Sequence, residues 1–153
     1  MLDFWATWCP PCQKPMGHNQ EMLAKNAATW GDRVRLIGLS IDGDAGTVKN
    51  HVESKQWTKV EHWWIRNGKC KDDEAYAFSG VPHVCLVDTT GTIVFKGHPA
   101  SRPDLEEDIN KLLRGEKIDS ADENEESGST TAGVSDAEGH VERFNKEAEE
   151  FMN

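Results

Sequence analysis

Cys9 and Cys12, with Pro10 and Pro11 between them, are the residues whose type and spacing promise chemistry. Disulfide exchange needs a thiolate that attacks a sulfur to form a mixed disulfide, and a second thiol close by that releases it. Two cysteines separated by two residues meet that need where a strand passes into a helix. Cys9 would then sit at the helix N-terminus, where unpaired N–H groups and the helix dipole stabilise its anion, so it is the expected nucleophile. Cys12, one turn inside, is expected to be more buried and to act as the resolving thiol. Pro11 has its φ preset for the first helical turn, where a missing N–H does no harm, and it rigidifies the small loop. The competing chemistry is half of a zinc site. Structural zinc takes about four ligands, usually from a second close pair, and Cys70 and Cys85, 15 positions apart, do not supply one. Neither a metal nor a dissociable cofactor is expected.

The elements that must position this pair are legible around it. Leu2 to Thr7 is short, aromatic-rich and interrupted by one acid, Asp3, which fits a buried strand with a special position in it. After the cysteines, Met16, Gln20, Leu23 and Ala27 recur at helical spacing up to Trp30, and Gly31-Asp32 ends the segment. Val34 to Ile41 alternates and is rich in branched residues, a second strand. Strand, helix, strand implies a parallel βαβ unit with a right-handed crossover. Asp42-Gly43-Asp44 reads as a turn, and Val48 and Val52 suggest a helix to about Gln56. Trp57 to Lys71 has no assignable pattern. A short helix is expected around Asp73 to Phe78, then Gly80-Val81-Pro82-His83, then a hairpin of Val84–Asp88 and Thr92–Lys96 around Thr89-Thr90-Gly91. Ser101 and Asp104 resemble a capping box ahead of a helix whose face holds Leu105, Ile109, Leu112 and Leu113, stopped by Gly115. The order is βαβ, helix, ββα.

Charge divides the chain. The formal net charge is −10, yet Met1 to Ile118 carries 16 acidic and 15 basic residues, while Asp119 to Asn153 carries 11 acidic residues against Arg143 and Lys146. The expected organisation is therefore a domain over 1–118, an acidic flexible linker over 119–139 with too little to bury to offset its ordering entropy, and a short amphipathic helix over 140–153. Val141, Phe144, Ala148 and Phe151 share one face of that helix. It reads either as a frayed tail or as a partner-binding or edge-covering segment. No run of about 18 apolar residues offers a membrane helix and no basic cluster offers a nucleic-acid footprint. No signal peptide is visible, so a cytoplasmic location is favoured, with a coding sequence that can begin upstream of Met1.

The run Phe4-Trp5-Ala6-Thr7-Trp8-Cys9-Pro10-Pro11-Cys12 resembles the signature of the thioredoxin superfamily, and its Pro-Pro form is similar to the TlpA-like and nucleoredoxin-like branches. The resemblance extends, with gaps, from Leu2 to about Arg114. It implies a thioredoxin-like α/β fold, a central mixed sheet flanked by helices, acting as a thiol-disulfide oxidoreductase on protein disulfides and dithiols. It further implies that Asp3 is the buried acid that helps move the proton of Cys12, that Val81-Pro82 is the cis-proline loop facing the pair, and that Trp8 flanks the site. Trp8, Pro10, Pro11, Val81 and Pro82 would then line the substrate groove, which takes an extended substrate as an added strand. A peroxide-reducing relative and a redox-inert binding module are the rival readings. The first does not normally rely on this cysteine pair, and intact Cys9 and Cys12 argue against the second.

The departures from the pattern are specific. A strand and helix that precede this segment in thioredoxins are absent or truncated, which would leave Val34–Ile41 as an exposed apolar edge prone to self-association or covered by the tail. The lysine that thioredoxins place near the buried acid aligns with Gly38, and the usual helix proline is displaced from Gly17 to Pro15. Cys85 is expected as a small buried residue and Cys70 as an exposed one. The six histidines show no metal spacing; His83 alone draws interest because it follows Pro82.

Overall fold

A computed structural model describes residues 1–66 and 79–119. The chain opens directly into the central strand, β1 (Leu2–Trp5), every residue of which is buried. A short turn leads to the long helix α1 (Pro10–Trp30), followed by β2 (Ile37–Ser40), α2 (Ala45–Lys55) and β3 (Glu61–Trp64). The hairpin β4 (His83–Val87) and β5 (Ile93–Gly97) and a last helix, α3 (Leu105–Leu113), complete the described part. The strands form one mixed sheet in the order β3-β2-β1-β4-β5, with β1, β2 and β3 parallel and β4 and β5 antiparallel.

Two successive right-handed crossovers, β1-α1-β2 and β2-α2-β3, step in the same direction across the sheet, so both helices fall on the same face. That face carries the larger core. Trp5 and Leu86 of the sheet pack there with Cys12, Met16, Met22 and Trp30 of α1, Val48 of α2, and Leu105, Ile109 and Leu112 of α3. Leu2, Phe4, Ile37, Leu39 and Cys85 alternate onto the other face. Polar contacts add to this packing: Trp30 of α1 donates its indole N–H to Asn110 of α3 at 2.8 Å, and Arg102, just ahead of α3, makes a bidentate, buried pair with Asp108 of that helix at 2.8 Å.

Several sequence expectations are corrected. Val34–Ile41 is not an open edge. Its strand, trimmed to Ile37–Ser40, has β1 on one side and β3 on the other, so its backbone offers no site for self-association and needs no cover. The covering strand is the tryptophan-rich stretch that had no assignable pattern, because both its faces are half-buried and the alternation is blurred. The buried face of α1 runs through Cys12, Met16, Asn19 and Met22 to Trp30, one residue out of phase with Gln20, Leu23 and Ala27. The hairpin, α2 and α3 lie where expected, and Gly115 ends α3 at φ +74°. The capping box does not form: Asp104 itself is the N-cap, accepting from Glu107 N–H at 3.0 Å, and Ser101 belongs to a preceding turn of tighter helix. The helix expected over 73–78, Cys70, the remainder of the acidic linker and the amphipathic tail lie outside the described residues.

The cap assignment is testable by a pair of substitutions. Asp104→Ala should cost about 1 kcal/mol of unfolding free energy, whereas Ser101→Ala should stay within about 0.5 kcal/mol of the parent, both read from urea melts.

Candidate active site

The site grows from the end of β1. Ala6, Thr7 and Trp8 turn the chain out of the sheet, and Cys9 becomes the N-cap of α1 with Pro10 and Pro11 in the first helical positions. Proline fits there because those N–H groups would have no intrahelical partner. Cys9 N–H donates to the Ala6 carbonyl at 3.2 Å and Cys12 N–H to the Cys9 carbonyl at 3.1 Å, which closes the small loop. The sulfurs of Cys9 and Cys12 are joined as a disulfide, with the Cα atoms 5.4 Å apart. Both residues are nearly buried, Cys12 at 1 % exposure more fully than Cys9 at 4 %. Trp8 stands out beside them, 62 % exposed, and Pro10 and Pro11 are exposed on the same turn. The Val81–Pro82 peptide is cis, and Val81 packs on the core cluster to which both cysteines belong.

Asp3 is enclosed on the same sheet face, 1 % exposed. Its carboxyl accepts from the side-chain amide of Asn19 at 2.6 Å, and Asn19 lies on the buried face of α1 that also carries Cys12. Burial pushes Asp3 up to about 7, opposed by the Asn19 hydrogen bond. Gly38 is the cross-strand partner of Asp3, as the alignment with the thioredoxin lysine anticipated. A side chain at that position would be crowded from its first atom, since a Cβ there would meet His62 Nδ1 at 3.0 Å and Trp5 Nε1 and Met16 Cε at 3.2 Å. Asn19, a neutral donor on the helix, is thus the partner this chain supplies to the buried acid.

Four side chains around the site escaped the sequence reading. Asp42, just past β2, accepts from the N–H of Thr7 at 2.9 Å, from its hydroxyl at 2.5 Å and from the Ser40 hydroxyl at 2.6 Å. Asn19 holds Asp3. Gln13 and His51 form a hydrogen-bonded pair behind the turn. The sequence signal for Asp42 was its place at the end of a parallel strand, where ligand and catalytic groups gather; the others carried no local signal.

His83 and Cys85 do not join the site. They alternate with Val84 onto the face that holds Phe4, with the His83 and Phe4 rings 5.8 Å apart and Cys85 Sγ 3.7 Å from His83 Nε2. Burial pushes the Cys85 thiol up to about 12. Cys85 is therefore a core residue, as expected, and lies across the sheet from any metal that Cys9 and Cys12 could share.

A disulfide-bonded cysteine pair closed over the first turn of a helix, at the end of the central strand of a mixed sheet, places the chain among thioredoxin-like domains. Comparison with known families agrees: the thioredoxin-like family model matches residues 1–93, and the chain belongs to that family. It is similar to the thiol-disulfide oxidoreductase ResA of Oceanobacillus iheyensis, 31 % identical over 94 residues that make up 61 % of this chain and 45 % of that protein. The chain thus spans about half the length of that relative. Among solved structures it resembles the thioredoxin domain of a thiol-disulfide oxidoreductase from Bacteroides vulgatus, with a TM-score of 0.57 and 27 % identity over 73 % of this chain and 76 % of that one. It also resembles a thioredoxin-like protein from Porphyromonas gingivalis, with a TM-score of 0.56 and 31 % identity over 74 % of this chain and 72 % of that one.

The burial of Asp3 has a measurable consequence. Its folded pKa of about 7 lies above the ordinary 3.8, so the native state holds the proton more tightly and loses stability as pH rises from about 4 to about 7, with no further loss above. Asp3→Asn should remove that dependence. In oxidised protein, the variant should gain on the parent by a difference on the order of 4 kcal/mol between pH 4 and pH 8, measured by denaturant melts across that range; a constant difference would mean that Asp3 does not titrate in the folded state.

Proposed function

We propose that this chain exchanges disulfides with protein thiols, with Cys9 attacking and Cys12 resolving. The observation that carries this reading is the disulfide between Cys9 and Cys12 at the N-terminus of α1. In the reducing direction, the Cys9 thiolate attacks one sulfur of a substrate disulfide. The substrate S–S bond breaks, one substrate thiolate leaves and takes up a proton, and a Cys9 mixed disulfide remains. Cys12 then gives up its proton and attacks Cys9 Sγ. The second substrate thiolate leaves, and Cys9 and Cys12 are left oxidised by two electrons while the substrate is reduced by two. The opposite direction runs the same steps backward.

Each neighbour has a place in that scheme. The helix N-terminus favours the Cys9 anion through the dipole of α1, the first two helical residues being prolines that carry no N–H. Asp3 assists by accepting the Cys12 proton, which a carboxyl with a pKa of about 7 is suited to do near neutral pH. Exposed Trp8, with Pro10, Pro11, Val81 and Pro82, shapes the surface on which an extended substrate lies. The naming of the Oceanobacillus relative as a thiol-disulfide oxidoreductase supports the reading.

The test is a trapping experiment on the full chain. Cys12→Ser, reduced and mixed with a disulfide-bonded protein, should accumulate a mixed disulfide that mass spectrometry assigns to Cys9. Cys9→Ser should exchange no faster than the small dithiol donor alone. Turnover that survives Cys9→Ser would remove the assignment.

A further inference from the structure

Gln13 follows the cysteine pair and reaches back beneath it. Its side-chain nitrogen lies 3.3 Å from the Ala6 carbonyl, 3.5 Å from that of Thr7 and 3.1 Å from that of Cys9. Three carbonyl oxygens therefore converge on one spot behind the nucleophile. A side-chain NH2 only donates, so these contacts fix which way the amide faces and leave its Oε1 as an acceptor. That oxygen is 2.7 Å from Nε2 of His51 on α2, and the ring nitrogen must be the donor. The His51 ring is held against Trp5 and Trp57, with centroids 5.7 and 5.6 Å away.

We propose that Gln13 and His51 form a positioning relay that tunes Cys9 through the backbone behind it. The relay rests on the reading of Cys9 as the attacking thiol. Converging carbonyls set up a negative potential that disfavours a thiolate. The NH2 end of the Gln13 amide offsets it, and the His51 N–H holds that end in place, since a flipped amide would face oxygen to oxygen. Donation from Nε2 needs only the neutral imidazole. Burial and then Lys55 hold His51 below its ordinary pKa, and the Asp42 carboxylate acts in the opposite sense. His62, which also packs on Trp5 and Trp57, is held down to about 4 by burial, so it adds no charge to the group at neutral pH.

The test uses the full chain and two readouts that bracing of the fold alone would not move. The pH dependence of alkylation of the reduced protein gives the Cys9 pKa, and equilibration with glutathione buffers gives the potential of the pair. Gln13→Met keeps the length and removes the donor. The Cys9 pKa should rise by about one unit, and the potential should become more reducing, because the reduced form loses thiolate stabilisation. Exchange at neutral pH should slow only about threefold, since a more basic sulfur is also the better nucleophile. His51→Phe keeps the ring packing and should shift the pKa in the same direction by less, and His51→Gln, which restores a donor, should return it toward the parent value. Added to Gln13→Met, His51→Phe should move the pKa no further. An unchanged pKa in Gln13→Met overturns the relay, whether or not the melting temperature falls, and so does a His51→Phe shift that persists in the double variant. If the parent protein has no measurable potential at all, the exchange reading fails and the relay with it, an outcome distinct from a parent that titrates and a Gln13 variant that matches it.

Discussion

The turn that presents the cysteines is held from below by a buried carboxylate. Asp42, 2 % exposed, accepts both the backbone N–H and the hydroxyl of Thr7, and its own N–H donates to the Ser40 hydroxyl at 3.0 Å. Its carbonyl accepts the indole N–H of Trp64 at 2.6 Å, which ties the same residue to β3. A carboxylate taken out of water is costly unless donors surround it. Here the carboxylate's donors come from the turn before Cys9 and from the end of β2, so the arrangement that satisfies the charge also fixes the geometry of the turn. Ala6, Thr7 and Trp8 have little secondary structure of their own. Their placement is a tertiary effect, and the direction in which α1 leaves the sheet follows from it.

Asp3 and Asp42 are both nearly inaccessible acids near one sheet face, yet their surroundings differ in the number of donors. Asp42 accepts from three hydrogens, whereas the Asp3 carboxyl accepts from a single neutral amide, that of Asn19, among the described residues. One donor does not replace the hydration that burial removes, so the proton stays on Asp3 to about neutral pH. Trp5, Met16 and His62 crowd the space over Gly38, so a longer side chain at the cross-strand position would have to displace them. The acid is left with a helix amide where a cation would have held it ionised. Asp3, with one donor, titrates near neutral pH, whereas Asp42, with three, fastens the backbone of the turn.

The cysteine pair, the strand before it and the long helix after it were legible because each is written in contiguous residues: two thiols at fixed spacing, an aromatic apolar run, prolines at the first helical turn. The hairpin around Gly91 and the helix ending at Gly115 were legible for the same reason. What the sequence hid is joined across the chain. Thr7 and Asp42 are 35 positions apart, Gln13 and His51 38, Asp3 and Asn19 16. None of these side chains belongs to a local pattern, and polar residues at such positions look like solvated ones until the sheet order is known. The phase of α1 was misread for a related reason. Asn19 is buried because Asp3 needs it, so a polar residue occupies the core face and an apolar one, Leu23, lies partly outside it. β3 was missed because a half-buried edge strand of Glu-His-Trp-Trp carries neither clean alternation nor a continuous apolar run.

Sheet order explains why these separate groups meet. From β1 the chain crosses through α1 to β2 on one side, while the strand on its other side, β4, arrives much later and runs antiparallel. The connections therefore diverge at the carboxyl end of β1, the kind of place where binding and catalytic groups gather in open α/β sheets. Cys9 emerges at that point. The ends of β2 and β3 lie beside it because both are parallel to β1, which brings Asp42 and Trp64 to the same level, and α2 follows immediately and carries His51. On the opposite side, the antiparallel β4 begins where β1 ends, since Phe4 pairs with His83, so the cis Val81–Pro82 peptide reaches the same end of the sheet. Parallel neighbours contribute the groups that hold the turn, and the antiparallel neighbour contributes the cis-proline loop at the same end of the sheet. The strand preceding the pair is thus required to be central, with a parallel partner on one side and an antiparallel one on the other; an edge strand could present two cysteines but could not draw both sets of groups to them.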